Sequence, residues 1–102
     1  MEYMLVLQWP IGSIPDYEAI VALETALIDA LPDGSQIDGH DAGSGEMNIF
    51  ISTDRPAQVF DQLKGRLLAH DLFSDVRAGY REATENEYAI LWPPGLRSFT
   101  VS

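Results

Sequence analysis

The stretch Gln36-Ile37-Asp38-Gly39-His40-Asp41-Ala42-Gly43-Ser44-Gly45-Glu46-Met47-Asn48-Ile49-Phe50-Ile51 decides how the rest of the chain is read. Its middle, Asp41-Ala42-Gly43-Ser44-Gly45, consists of turn formers, whereas Met47-Asn48-Ile49-Phe50-Ile51 has the apolar, strand-forming character of a half-buried β-segment. The two halves predict a hairpin whose first strand runs over residues 36–40 and whose second runs over residues 47–51.

Upstream, residues 2–9 form a nearly continuous apolar run closed by Pro10 and Gly12, the pattern of a central strand. Ser13-Ile14-Pro15 is a helix start signal. Behind it Tyr17, Ile20, Leu23, Leu27, Ile28 and Leu31 recur at helical spacing, with Glu18, Glu24 and Asp29 off that stripe. A helix is expected over residues 16–31, ended by Pro32-Asp33-Gly34. Downstream, Thr53-Asp54-Arg55-Pro56 opens a second helix with Asp54 as its cap, and Val59, Phe60, Leu63, Leu67 and Leu68 form its apolar stripe. Its end is expected near His70 or Asp71. Residues 75–82 alternate loosely, Thr84-Glu85-Asn86 reads as a turn, and Tyr88-Ala89-Ile90-Leu91-Trp92 is a last strand before Pro93-Pro94-Gly95.

The resulting order of strand, helix, strand, strand, helix, strand and strand resembles the ferredoxin-like plait over roughly the first eighty residues. That resemblance implies an α+β fold of the split βαβ type, a two-layer antiparallel sheet with two helices on one face, plus an extra C-terminal strand. Residues 1–102 form one domain in this reading, with 93–102 as a C-terminal extension. The plait hosts unrelated enzymes, regulators and binding modules, so the topology names no activity.

Composition narrows the classes. The chain has 102 residues, 46% of them hydrophobic and 22% charged, with no cysteine. One core is therefore expected, and disulfides, thiolate metal sites and a cysteine nucleophile are excluded. Sixteen acidic residues against six basic ones give a formal charge of −10. Such a surface repels phosphate backbones and anionic lipids and attracts basic proteins, so neither nucleic acid nor membrane is an expected partner. No basic n-region precedes the first apolar run, and no run reaches the ~18 residues of a membrane span, so the expected location is cytoplasmic.

The hairpin holds the densest polar chemistry. In the expected topology its turn, the end of the first strand at Trp9, His70 at the end of the second helix and Trp92 share one edge of the sheet. Gln36, Asp38 and His40, with Asn48 or Glu46 across the ladder, are expected on one face because strand side chains alternate. Asp38, His40, Asp41 and Glu46 are the candidate catalytic set, and Asp38, His40 and Asp41 are the candidate ligands of a divalent metal. The same residue types also make an ordinary solvated turn, and their spacing matches no established signature. Trp9, Asn48 and Trp92 are candidate binding residues, the tryptophans alternatively serving as core caps. His70 complements the dipole of the second helix.

The first strand is apolar on both sides, Tyr3, Leu5, Leu7 and Trp9 on one and Met4 and Val6 on the other. Two helices cover one side only. The other requires residues 96–102, a partner or a second copy of the chain, and a homodimer is the expected outcome. The leading functional expectation is a non-catalytic binding module for a protein or small molecule, in one form an immunity-type inhibitor of a basic toxin, without a cofactor. The alternatives are a small enzyme or metal-binding protein with His40 as general base at the hairpin, and a dimeric metabolite-sensing domain.

Overall fold

A computed structural model describes residues 3–10, 17–43, 45–70 and 73–101. Glu2, the start signal Ser13-Ile14-Pro15, Asp16, Ser44 and Asp71 lie outside the described residues, as does the side chain of Tyr17. The elements follow the expected order: β1 (Tyr3–Pro10), α1 (Tyr17–Ala30), β2 (Gln36–Gly43), β3 (Glu46–Thr53), α2 (Pro56–Leu68), β4 (Arg77–Glu82) and β5 (Ala89–Trp92). The hairpin strands are longer than their apolar segments predict, because ladder pairing carries β2 and β3 through the polar residues as far as Gly43 and Glu46.

Among the described residues the five strands form one antiparallel sheet in the order β2-β3-β1-β4-β5. Directly opposed residues share a face. One face therefore carries Leu5, Leu7 and Trp9 of β1, Ile49 and Ile51 of β3, and Ala78 of β4. These residues form a single buried core with Ile20, Leu23 and Leu27 of α1 and Val59, Phe60, Leu63 and Leu67 of α2. Ile28, expected in the α1 stripe, is instead 56% exposed. It follows Leu27 in the chain, and one residue turns a helix by about 100°, which carries Ile28 off the core face.

The cap of α2 also differs from expectation. The N-cap position is Arg55, with no side-chain cap, and Pro56 opens the helix. The side chain that stabilises this corner belongs to Thr53, which is fully buried. Its hydroxyl accepts from the Arg55 backbone N–H at 3.1 Å and shares a hydrogen bond with the Ser35 hydroxyl at 2.8 Å. Thr53 lies three positions before Pro56, within reach of the entering turn, and the cap position falls on Arg55 rather than on Asp54.

On the sheet face away from the helices, the C-terminal segment supplies cover. Val6 of β1 is fully buried, and Phe99 lies against Gly79, its Val6-row neighbour on β4. The Phe99 ring also packs on Tyr88 with 5.2 Å between ring centroids. Part of the second apolar side of β1 is thus shielded from within the chain. Among the described residues, no helix is long and apolar enough to cross a membrane.

Candidate functional site

The hairpin positions its polar residues in two separate groups. The register of β2 against β3 shifts between Ile37 and Gly39, so that Gln36 opposes Ser52 while His40 opposes Ile49. Without the bulge Gln36, Asp38 and His40 would share a face; with it, Gln36 and His40 lie on opposite faces. Gly39, with φ of 138°, takes the backbone conformation this irregularity requires.

His40 falls on the helix face. Its Nδ1 lies 2.8 Å from Oε2 of Glu24 on α1, with side chains 23% and 16% exposed. The pair ties the outer strand to the helix above it. Helical spacing places Glu24 off the apolar stripe but does not show this partner.

Asp41 falls on the other face and begins a row of directly opposed residues across four strands: Asp41, Asn48, Gln8 and Arg77. The Asn48 side-chain amide donates to Oδ1 of Asp41 at 2.8 Å, and the Gln8 amide donates to Oδ1 of Asn48 at 3.1 Å. The same Gln8 amide donates to the Thr100 carbonyl at 2.9 Å, which fastens the C-terminal segment to the sheet. Gln8 is 1% and Asn48 2% exposed, so each of these bonds offsets the cost of burying an amide. Arg77, at the end of the row, donates through Nη2 to Oε2 of Glu46 at 3.1 Å.

The four hairpin candidates therefore do not converge. Asp38 is exposed at the bulge, His40 pairs with Glu24 on one face, and Asp41 and Glu46 are held by Asn48 and Arg77 on the other. Among the described residues, no group of three or more histidine, aspartate or glutamate side chains is arranged to hold a metal ion.

The tryptophans separate as well. Trp9 is fully buried, its indole N–H donates to the Phe73 carbonyl at 3.1 Å, and its ring meets that of Phe73 at 6.0 Å. It is a core residue and offers no surface to a ligand. Trp92 opposes Ala78 on the helix face, in the edge strand β5, half-buried, with the Phe60 ring 6.4 Å away and Nζ of Lys64 4.9 Å above its own ring. His70, two residues beyond α2, stacks on Phe73 at 4.8 Å.

A larger feature lies in the distribution of charge. Residues 1–54 contain ten acidic side chains and no lysine or arginine, whereas residues 55–102 contain six of each. The whole formal charge of −10 thus originates in the first 54 residues. For the described residues the strand order adds a spatial asymmetry, because β2 and β3 occupy one side of the sheet beneath α1, while β4 and β5 occupy the other. Asp29, Asp33, Asp38 and Asp41 are all exposed on the α1 and β2 side. The first basic side chain in the sequence, Arg55, marks the boundary and was the signal available for finding it.

α1 adds a second unusual surface. Val21, Ala22, Thr25, Ala26 and Ile28 are all exposed, so the solvent side of the helix carries no charge between Glu18 near its start and Asp29 near its end. Beside it a groove of about 370 Å³ is lined by Ala19, Ala22, Leu23 and Ala26 of α1 and, opposite, by Arg66, His70 and Phe73. Compared with protein-family models, with curated proteins and with solved structures, the chain finds no match.

Proposed function

We propose that this protein is a non-catalytic binding module that docks a basic protein through its α1 and β2 side. The supporting observation is that residues 1–54 carry all of the net negative charge and that, among the described residues, Asp29, Asp33, Asp38 and Asp41 are exposed on the α1 and β2 side. A one-sided field of this kind steers a cationic partner and orients it during approach, and it acts mainly on the rate of association. The finer form of this reading is an immunity-type inhibitor that covers the basic surface of a toxin. We further read the sheet as a ferredoxin-like plait lengthened by β5, a reading supported by the β2-β3-β1-β4 order and by the single core that both helices share with one sheet face.

His40 and Asp41 each help to hold the edge strand in place, a role that fits a binding module. Calorimetric titration against a set of small cationic proteins, with acidic proteins of equal size as controls, tests the proposal. Binding is expected for the cationic set and should weaken steeply between low salt and ionic strengths where screening reaches about 8 Å. Reversing the exposed Asp33 and Asp38 to lysine should reduce it further. Equal binding of cationic and acidic proteins would refute the proposal.

A further inference from the structure

We infer that the uncharged face of α1, with the groove beside α2, receives an amphipathic helix of the basic partner, an inference that rests on the binding function proposed above. Exposed helices of small domains ordinarily present charges to water, and contiguous apolar exposure marks a contact surface. Val21 at 37% and Ile28 at 56% are the large hydrophobic side chains exposed among the described residues, and both stand on α1. The neighbouring groove is lined mostly by small and apolar side chains, Ala19, Ala22, Leu23, Ala26 and Phe73, the kind of surface on which the apolar face of a helix docks.

Charge specifies the occupant. Glu18 and Asp29 are eleven positions apart, three helical turns, so they lie on the same side of α1 at its two ends, roughly 16 Å apart along the axis. A partner helix with apolar residues at i, i+3, i+4 and i+7 and basic residues at its two ends satisfies both. A second copy of this chain does not, because two α1 helices packed antiparallel about a two-fold axis set Glu18 of one against Asp29 of the other. Arg66 of α2 and His70 beyond it stand on the wall opposite α1, where a basic side chain of the partner is disfavoured. The partner's basic residues are therefore directed to the α1 side, which fixes the rotation of the docked helix.

The test uses the full chain, isotopically labelled, and three 18-residue probes: a leucine/lysine peptide with helical apolar spacing, a scramble of the same composition, and a leucine/glutamate peptide with the first spacing. The leucine/lysine peptide is expected to shift amide resonances of α1 and of residues 63–70, and to bind at least tenfold more tightly than either control. The double variant Ala22→Gln/Ala26→Gln fills the groove with uncharged bulk at exposed helical positions; it should weaken binding at least tenfold while circular dichroism stays that of the parent. If the scramble binds as tightly, with shifts confined to β2, the helix site is overturned and the basic-partner function stands. If no cationic peptide and no cationic protein binds, both fail. Tighter binding of the leucine/glutamate peptide, or α1 resonances that move with protein concentration as the mass doubles, would also overturn the inference.

Discussion

The ring of Phe99 occupies the space that a side chain on Gly79 would need: a Cβ built there would lie 2.8 Å from Cδ1 of Phe99. Gly79→Ala should therefore either lift the C-terminal segment from the sheet or force the ring from its position, at a cost of roughly 1–3 kcal/mol. Phe99→Ala should cost about 3 kcal/mol through lost burial. Denaturant unfolding measures both, and hydrogen exchange of residues 96–101 should quicken in each. Unchanged exchange in Gly79→Ala would show that the segment is held elsewhere.

The amide row predicts strong coupling between distant parts of the chain. Gln8→Ala leaves Oδ1 of Asn48 and the Thr100 carbonyl without their buried donor and should destabilise by about 1–3 kcal/mol. Asn48→Ala should cost a comparable amount. In the double variant the losses should fall short of their sum, and a double-mutant cycle on thermal unfolding reads that shortfall directly.

His40→Ala and Glu24→Ala each remove the tether between β2 and α1 and should cost about 1 kcal/mol, the range expected for a partly exposed pair. Neither should abolish folding. The two single losses should be nearly equal to the loss in the double variant, because each removes the same contact.

At the corner before α2, Thr53→Val keeps the shape of a fully buried side chain but removes the hydroxyl that joins Ser35 to Arg55. A loss of about 1–3 kcal/mol is expected, against a few tenths for Asp54→Ala. The order of these two midpoints distinguishes the Thr53 hydroxyl from an aspartate cap.

Tryptophan fluorescence should report the two environments separately. In Trp92→Phe only buried Trp9 remains, and its emission should lie to the blue and resist quenching by iodide. In Trp9→Phe the emission of Trp92 should respond to Lys64→Met, which removes the ammonium over its ring.

The element order was legible because periodicity is local: the apolar run of β1, the stripe of Val59, Phe60, Leu63 and Leu67, and the turn formers before Met47 each declare themselves within a few residues. The charge asymmetry is equally present in the sequence, since no lysine or arginine precedes Arg55. What each polar residue does was settled only by tertiary structure. The one-residue shift at the β2 bulge reverses the faces of Gln36 and His40, and a shift of that size leaves no periodic trace in a strand so short. The partners of His40, Gln8 and Phe99 are 16, 40 or 92, and 20 positions away, at Glu24, at Asn48 or Thr100, and at Gly79. Such pairs depend on how strands are ordered and how the chain returns across the sheet, so the polar hairpin became two separate anchors, one on each face of the sheet.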